Sequence, residues 1–184
     1  MTKESAKARA RRVREGYFEK FLVGNGIDIG CGDDPITCEC VHWDKSQGDA
    51  QSLTDLQSGR FDWVYSSHCL EHLVDPKRAV VRWWDILRPG GHLLIVVPDE
   101  DLYEQGIWPS RFNPDHKWSF TIHKQRSWSP VSMNLTDLVA MLPAHQTIWL
   151  RTCDDQYDHS PRIWDRTGGP AEAHIEVLLR KLVE

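Results

Sequence analysis

An α/β fold around a parallel sheet is predicted from three observations. Short apolar, strand-like segments recur at 26–30, 40–44, 61–66 and 92–97, an amphipathic helical segment separates the last two, and 184 residues with 40% hydrophobic content suit one core. Strands separated by crossovers pair in parallel, because each crossover carries the chain back to the same end of the sheet. Residues 1–184 are therefore expected to form a single domain.

The first twenty residues carry Lys3, Lys7, Arg9, Arg11, Arg12, Arg14 and Lys20 against Glu4, Glu15 and Glu19. They read as a basic N-terminal helix (1–20), docked on the surface by Tyr17 and Phe18. The run Gly26-Ile27-Asp28-Ile29-Gly30-Cys31-Gly32 follows, an apolar strand ending in two glycines. Lacking Cβ, Gly30 and Gly32 permit a sharp turn at positive φ and leave amide N–H groups facing a ligand, as at the opening of a nucleotide-type site. Asp28 within the run is an acceptor-only side chain. A dinucleotide fingerprint would need a further small residue where Pro35 stands, so a nicotinamide dinucleotide is not expected. Only eight residues separate Gly32 from Val41. A crossover ordinarily takes about ten to twelve, so a shortened first crossover helix is expected.

Cys40-Val41-His42-Trp43-Asp44 is a short strand closing on a carboxylate. Phe61 to Ser66 is the next strand, followed by Ser67-His68-Cys69-Leu70-Glu71-His72-Leu73. Over 76–87, Ala79, Val80, Trp83, Trp84 and Leu87 recur at three- and four-residue spacing, a buried helical stripe. Leu87-Arg88-Pro89-Gly90-Gly91 turns the chain into the strand 92–97. The segment 98–130 is dense in aromatic and titratable groups and follows a strand at its carboxyl end, where open α/β sheets bind ligands. It is expected to be a substrate-loop insertion. Asn134 to Leu142 reads as a capped helix stopped by Pro143. Thr147–Thr152 and Ala173–Leu182 read as two last strands, joined by a polar and mobile connection from Asp154 to Gly169.

Net charge is −5, no apolar run approaches the roughly 20 residues of a membrane span, and nothing at the N-terminus resembles a secretory signal. The five cysteines (Cys31, Cys38, Cys40, Cys69, Cys153) suggest free thiols in a reducing compartment. Cys38 and Cys40 are too close for a zinc knuckle. A cytoplasmic protein without a membrane partner is expected.

The pattern G-x-D-x-G-x-G at 26–32 resembles the first motif of class I S-adenosylmethionine (SAM) dependent methyltransferases, and the segments at 40–44, 48–50, 61–73 and 87–98 match that family's later motifs in order. Leu70-Glu71-His72 is similar to the signature of its broad type 11 subgroup. The resemblance covers roughly residues 22–100 and implies a Rossmann-like, mostly parallel sheet with an antiparallel C-terminal edge hairpin. It implies SAM as cofactor, with Asp28, Gly30, Cys31, Gly32 and Ser66 lining its site. Asp44 would accept from the ribose hydroxyls, and Asp49, beside Ala50 in a loop placed after the family's third strand, from the adenine amino group. N-terminal helices of this fold can lie over the site, so an arginine of the basic segment could reach the cofactor carboxylate.

Methyl transfer from a sulfonium is an in-line displacement, in which the protein aligns an acceptor atom and excludes water. For a hydroxyl acceptor a base helps, and His116, His68, His72 and Asp99 are the catalytic candidates by position, His116 foremost. Glu71, His72, Tyr103, Arg111 and Trp118 are expected to contact substrate. The loop also resembles that of ubiquinone-pathway O-methyltransferases, which can hold a divalent ion. With His68 at its first carboxylate position, the set His68, Glu71 and His72 suits magnesium poorly, and no metal is expected. The acceptor is expected to be a small polar molecule methylated on an oxygen, sugar-like or another metabolite. Nucleic acid is disfavoured, because Ser66-Ser67-His68-Cys69 replaces the Pro-Pro-Tyr type element of base-amine methylation. Two alternatives stand beside it: RNA or protein methylation guided by the basic arm, and a non-catalytic SAM-binding accessory subunit.

Overall fold

The computed structural model describes residues 4–160, 165 and 169–183. Three short helices, α1 (Glu4–Lys7), α2 (Arg9–Glu15) and α3 (Tyr17–Lys20), open the chain. They replace the single helix expected there, because Gly16 sits at φ 73°, a left-handed stop that ends α2 and turns the chain into α3.

A six-stranded sheet follows, built from β1 (Gly26–Ile29), β2 (Val41–Trp43), β3 (Phe61–Ser67), β4 (Leu87–Pro98), β7 (His145–Cys153) and β8 (His174–Lys181). Its order is β2-β1-β3-β4-β8-β7. The first four strands in that order are parallel, while β8 runs antiparallel to both β4 and β7. This is the mostly parallel sheet with an antiparallel C-terminal edge that the motifs implied. Between Gly30 and Cys40 the crossover contains no helix at all among the described residues, only turns.

No strand forms between β2 and β3 either, so the loop bearing Asp49 and Ala50 follows β2 directly, in place of the third strand implied by the resemblance. Side chains of α4 (Pro76–Asp85) hold that loop instead. The Arg82 guanidinium donates to the carbonyls of Ser52, Leu53 and Leu56, and Trp83 Nε1 donates to Ala50 at 2.8 Å. Helix α4 starts as its sequence predicts, with Pro76 in its first turn and Asp75 Oδ1 accepting from Arg78 N at 3.1 Å. Its stripe of Ala79, Val80, Trp83 and Trp84 is buried against Ile27, Val64 and Leu93 of the sheet. The helix ends at Asp85, so Leu87 belongs to β4, and a register shift opposite Phe61 to Trp63 absorbs the Pro89-Gly90 turn.

After β4 the insertion forms turns, then a small parallel pair, β5 (Ser119–Thr121) and β6 (Ser132–Asn134), from which α5 (Leu135–Ala140) departs. Asn134 caps α5 by accepting from Thr136 N at 2.9 Å. The sheet's parallel pairing places the ends of β1, β2, β3 and β4 along one edge, and the insertion rises from that edge. No described helix is long and apolar enough to cross a membrane. All five cysteines are free thiols. Part of the connection expected to be mobile, 161–164 and 166–168, lies outside the described residues.

Candidate active site

At the carboxyl edge of the sheet lies a cavity of about 700 Å³. It is lined by Gly30, Asp44, Lys45, Gly48, Asp49 and Ala50 from the segments after β1 and β2, by His68, Cys69, His72 and Leu73 after β3, and by Asn113, Asp115 and Lys117 of the insertion. A smaller cavity of about 220 Å³ is lined by Asp28, Gly30, Cys31, Gly32, Ser67 and His68, roofed by Glu4 and Ser5 of α1. Gly30 and His68 line both cavities.

The turn after β1 shapes the junction. Gly30, at φ 77°, packs so closely that a Cβ there would lie 2.5 Å from Cys69 Cβ, whereas a Cβ on Gly32, at φ 53°, would meet nothing within 4 Å. The first glycine is required by packing, and the second leaves open space where a side chain would stand. Gly30→Ala is therefore expected to cost about 1–3 kcal/mol, combining left-handed strain with overpacking, which a denaturant titration would register. An unchanged midpoint would show that Cys69 yields freely.

Asp44 ends β2 with both carboxylate oxygens tied to the loop, Oδ2 accepting from Gly32 N at 2.7 Å and Oδ1 from Lys45 N at 2.6 Å. Each oxygen keeps a further lone pair for a ligand hydroxyl. Asp49 is exposed, and its Oδ1 accepts from Gln51 N at 3.0 Å. Asp28 is buried; Oδ2 accepts from Ile36 N at 2.7 Å, but Oδ1 has no hydrogen-bond partner. Burial pushes its carboxyl up to about 7. A lone buried acceptor lining a cavity fits a ligand ammonium, and the carboxylate of Asp44 fits a diol. These observations together accommodate SAM. Ser66, by contrast, spends its hydroxyl on Ile29 O at 2.9 Å inside the sheet.

On the acceptor side the Leu-Glu-His element forms a 3-10 turn, Leu70–His72. The insertion is pinned to it by Lys117 N donating to Glu71 O at 2.8 Å and by Trp118 Nε1 donating to Leu73 O at 2.9 Å. Glu71 is fully buried with neither carboxylate oxygen hydrogen-bonded, and burial raises its pKa well above the usual range. Two imidazoles face it: His72 Nε2 and His116 Nε2 each lie 3.9 Å from Glu71 Oε1. Their other nitrogens are held, His72 Nδ1 by Asp115 O at 3.2 Å and His116 Nδ1 by Glu104 Oε1 at 2.6 Å. This donor set of one carboxylate and two imidazoles, all within 4.8 Å, also has the composition of a metal site.

His116 and His72 stack edge to face at 5.0 Å, but only His72 lines the cavity. Burial, reinforced by His116, lowers the pKa of His72, which keeps it neutral. His68 has left the Glu71 and His72 pair. It adopts φ 50°, its pKa is driven far down by burial, and its Nε2 faces Glu4.

Asp99 does not line either cavity; its Oδ1 accepts from the amides of Asp101 and Leu102 at 2.9 and 3.0 Å. Tyr103 is buried between His116, 5.2 Å away ring to ring, and His68, 6.3 Å away. Trp118 packs on the core, and Arg111 is exposed away from the cavity lining. Asn113, Asp115, Lys117 and Glu104 were missed as individual functional residues, although all lie in the segment singled out as a substrate loop. The only available signal was the crowding of titratable groups there. The basic N-terminal segment is not a free arm. Arg11 and Arg12 are buried against Glu172, Glu176 and Tyr65, so neither arginine is available to a phosphate backbone or a cofactor carboxylate.

Residues 4–95, half of the chain, match the methyltransferase domain family. Phosphoethanolamine N-methyltransferase 2 of Caenorhabditis elegans is 30% identical over 86 residues, 44% of this chain and 20% of that protein. Trans-aconitate 2-methyltransferase of Deinococcus radiodurans is 48% identical over 52 residues, 28% of this chain and 19% of that protein. The matched stretches thus span about a fifth of these curated relatives. A SAM-dependent methyltransferase from Archaeoglobus fulgidus superimposes with a TM-score of 0.58 at 16% identity, over 96% of this chain and 94% of that one. One from Methanosarcina mazei gives a TM-score of 0.58 at 15% identity, over 94% and 98%. With its motifs, its sheet order and this match in agreement, the chain belongs to the methyltransferase domain family.

Proposed function

We propose that this protein transfers a methyl group from SAM to a small polar acceptor, on an oxygen of a sugar-like or other small metabolite. The observation that carries this reading is that one cavity is lined both by Asp44 and Asp49 and by His72 and the insertion. A space of about 700 Å³ is of small-ligand size. The two curated relatives are named for phosphoethanolamine and trans-aconitate, both small polar acceptors.

SAM supplies an electrophilic methyl on a sulfonium. Asp44 binds the ribose hydroxyls, Asp49 the adenine amino group and Asp28 the amino group of the methionine end. Leu73, Asn113, Asp115 and Lys117 enclose the acceptor and displace water. His72, neutral and at the cavity wall, receives the acceptor proton. Glu71, held toward its neutral form by burial, faces His72 Nε2 and adds no charge that would keep that imidazole protonated before the acceptor proton arrives. His116 acts through His72 rather than on the acceptor, with Glu104 fixing its ring.

The pH dependence follows from this arrangement. Activity is expected to fall in acid with a midpoint below about 6.5, the ordinary imidazole value. His116→Ala is expected to lower kcat while leaving SAM affinity unchanged. It removes a repulsion that depresses the His72 pKa, so the acid limb moves to higher pH. A limb that stays in place, or moves down, would refute the positioning role.

The decisive experiment is transfer of radiolabelled methyl into a host lysate separated into small molecules, polysaccharide, protein and nucleic acid, with Asp44→Ala as control. Label in small molecules or polysaccharide, lost in the variant, supports the proposal. Label confined to protein or nucleic acid overturns the acceptor class, and SAM binding without any label points to an accessory role.

A further inference from the structure

Behind the cavities, the mechanism leaves one buried imidazole unused. His174, at the start of β8, has no solvent exposure, and its Nδ1 makes no hydrogen bond. Glu172 Oε2 stands 2.9 Å from its Nε2 as an ion-pair partner, which leaves Nδ1 with no partner. A second imidazole, His68 from the end of β3, packs edge to face on it at 5.7 Å. The Nε2 of His68 is likewise buried without a hydrogen bond. His174 Nδ1 and His68 Nε2 are thus buried without hydrogen bonds, which is costly unless something pairs with them.

A carboxylate completes the set. Glu4 Oε1 is held by Lys7 Nζ at 2.6 Å, which turns Oε2 toward His68 Nε2, 3.6 Å away. One donor atom each from Glu4, His68 and His174 lies within 4.8 Å of the others. Ser67 Oγ lies 3.1 Å from His68 Nδ1, and in the tautomer where Ser67 accepts, the Nε2 lone pair is left for the cluster. Glu172 beside His174 is the kind of outer carboxylate that orients a ligating imidazole. Four-coordinate zinc, with bonds near 2.0–2.1 Å, needs donors roughly 3.4 Å apart. Glu4 Oε2 and His68 Nε2, 3.6 Å apart, already stand near that spacing.

We propose that Glu4, His68 and His174 bind one divalent transition metal ion of the zinc or cobalt type, which locks the N-terminal helices onto the sheet. Two imidazoles and one carboxylate favour such an ion over magnesium or calcium, which prefer all-oxygen shells. The three ligands come from α1, the bend after β3 and β8, so the ion joins segments far apart in sequence. Glu4 also roofs the smaller cavity and His68 lines both, so loading the ion fixes one wall of the proposed cofactor site. The metal site itself does not depend on the methyl-transfer reading.

The test is titration of chelator-treated, folded protein with Co(II), read by visible d–d absorption and competed with Zn(II), with metal content by mass spectrometry. Glu4→Ala, at a partly exposed position on α1, is the main variant; His72→Ala reports on the other imidazole cluster and His159→Ala on exposed histidines. One ion per chain is expected, with affinity reduced roughly tenfold or more in Glu4→Ala, since even partners one step removed from a metal are worth 10–100-fold. Zinc should raise the thermal midpoint of the wild type but not of that variant. The proposal is overturned if the folded protein takes up no metal. It is equally overturned if binding survives Glu4→Ala unchanged, or is lost in His72→Ala or His159→Ala.

Discussion

Asp44→Ala is expected to weaken SAM binding by about ten- to a hundredfold and to abolish methyl transfer at ordinary cofactor concentrations. A hydrogen bond to a charged group contributes about 1.5–3 kcal/mol, and each 1.4 kcal/mol is tenfold in affinity. Asp44 lines the cavity, and the contacts of its two oxygens to Gly32 N and Lys45 N belong to a solvent-accessible turn that water can satisfy. The variant should keep its fold, so calorimetric titration with SAM and circular dichroism separate loss of binding from loss of structure. Unchanged affinity would remove Asp44 from the site and with it the orientation assigned to the cavity.

A larger effect, on stability, is expected from Glu176→Gln. Glu176 is fully buried on β8 and accepts from Arg11 Nη2 at 3.3 Å, Arg12 Nη2 at 3.4 Å, Arg151 Nη2 at 3.1 Å, Trp149 Nε1 at 3.1 Å and the Tyr17 hydroxyl. Neutralising it strands buried guanidinium groups, Arg12 above all, at a cost of about 3–5 kcal/mol. Denaturant unfolding should show that loss, and proteolysis should nick the N-terminal helices first. A loss under about 1 kcal/mol, the worth of an exposed pair, would show that the network is not a stabilising anchor.

The same residues set the acid limit. Burial alone would raise the Glu176 pKa, but the Arg12 and Arg11 guanidiniums overcome it and hold the carboxyl near 2; His174 and Arg11 do the same for Glu172, also about 2. Both values are depressed from an ordinary 4.5, so their stabilisation is complete above that pH and is lost as pH falls from 4.5 toward 2. Thermal midpoints measured across this window should drop steeply in the wild type and more gently in Glu176→Gln.

The strands, the capped helix α4 and the glycine turn were legible because each depends on neighbours in sequence. Two-residue alternation, three- and four-residue spacing and freedom at positive φ are local properties of the chain. The short distance from Gly32 to Val41 announced a trimmed crossover, and the structure trims it to turns. Not legible was the absence of a strand between β2 and β3, since it depends on Arg82 and Trp83, some thirty residues on, holding the loop by its carbonyls.

The sequence by itself determined the family, the parallel sheet with its antiparallel edge, and the cofactor candidates Asp28, Gly30, Gly32, Asp44 and Asp49, because these sit on a continuous run of ordered motifs. Only the tertiary structure decided what the histidines and the basic segment do. His116 is brought behind His72, His68 is turned toward His174, and Arg11 and Arg12 are consumed by carboxylates at residues 172 and 176. The physical reason is that the charge and reactivity of a side chain depend on its burial and on the partners that face it. Those partners lie up to 165 positions away along the chain and become neighbours only when β8 inserts between β4 and β7.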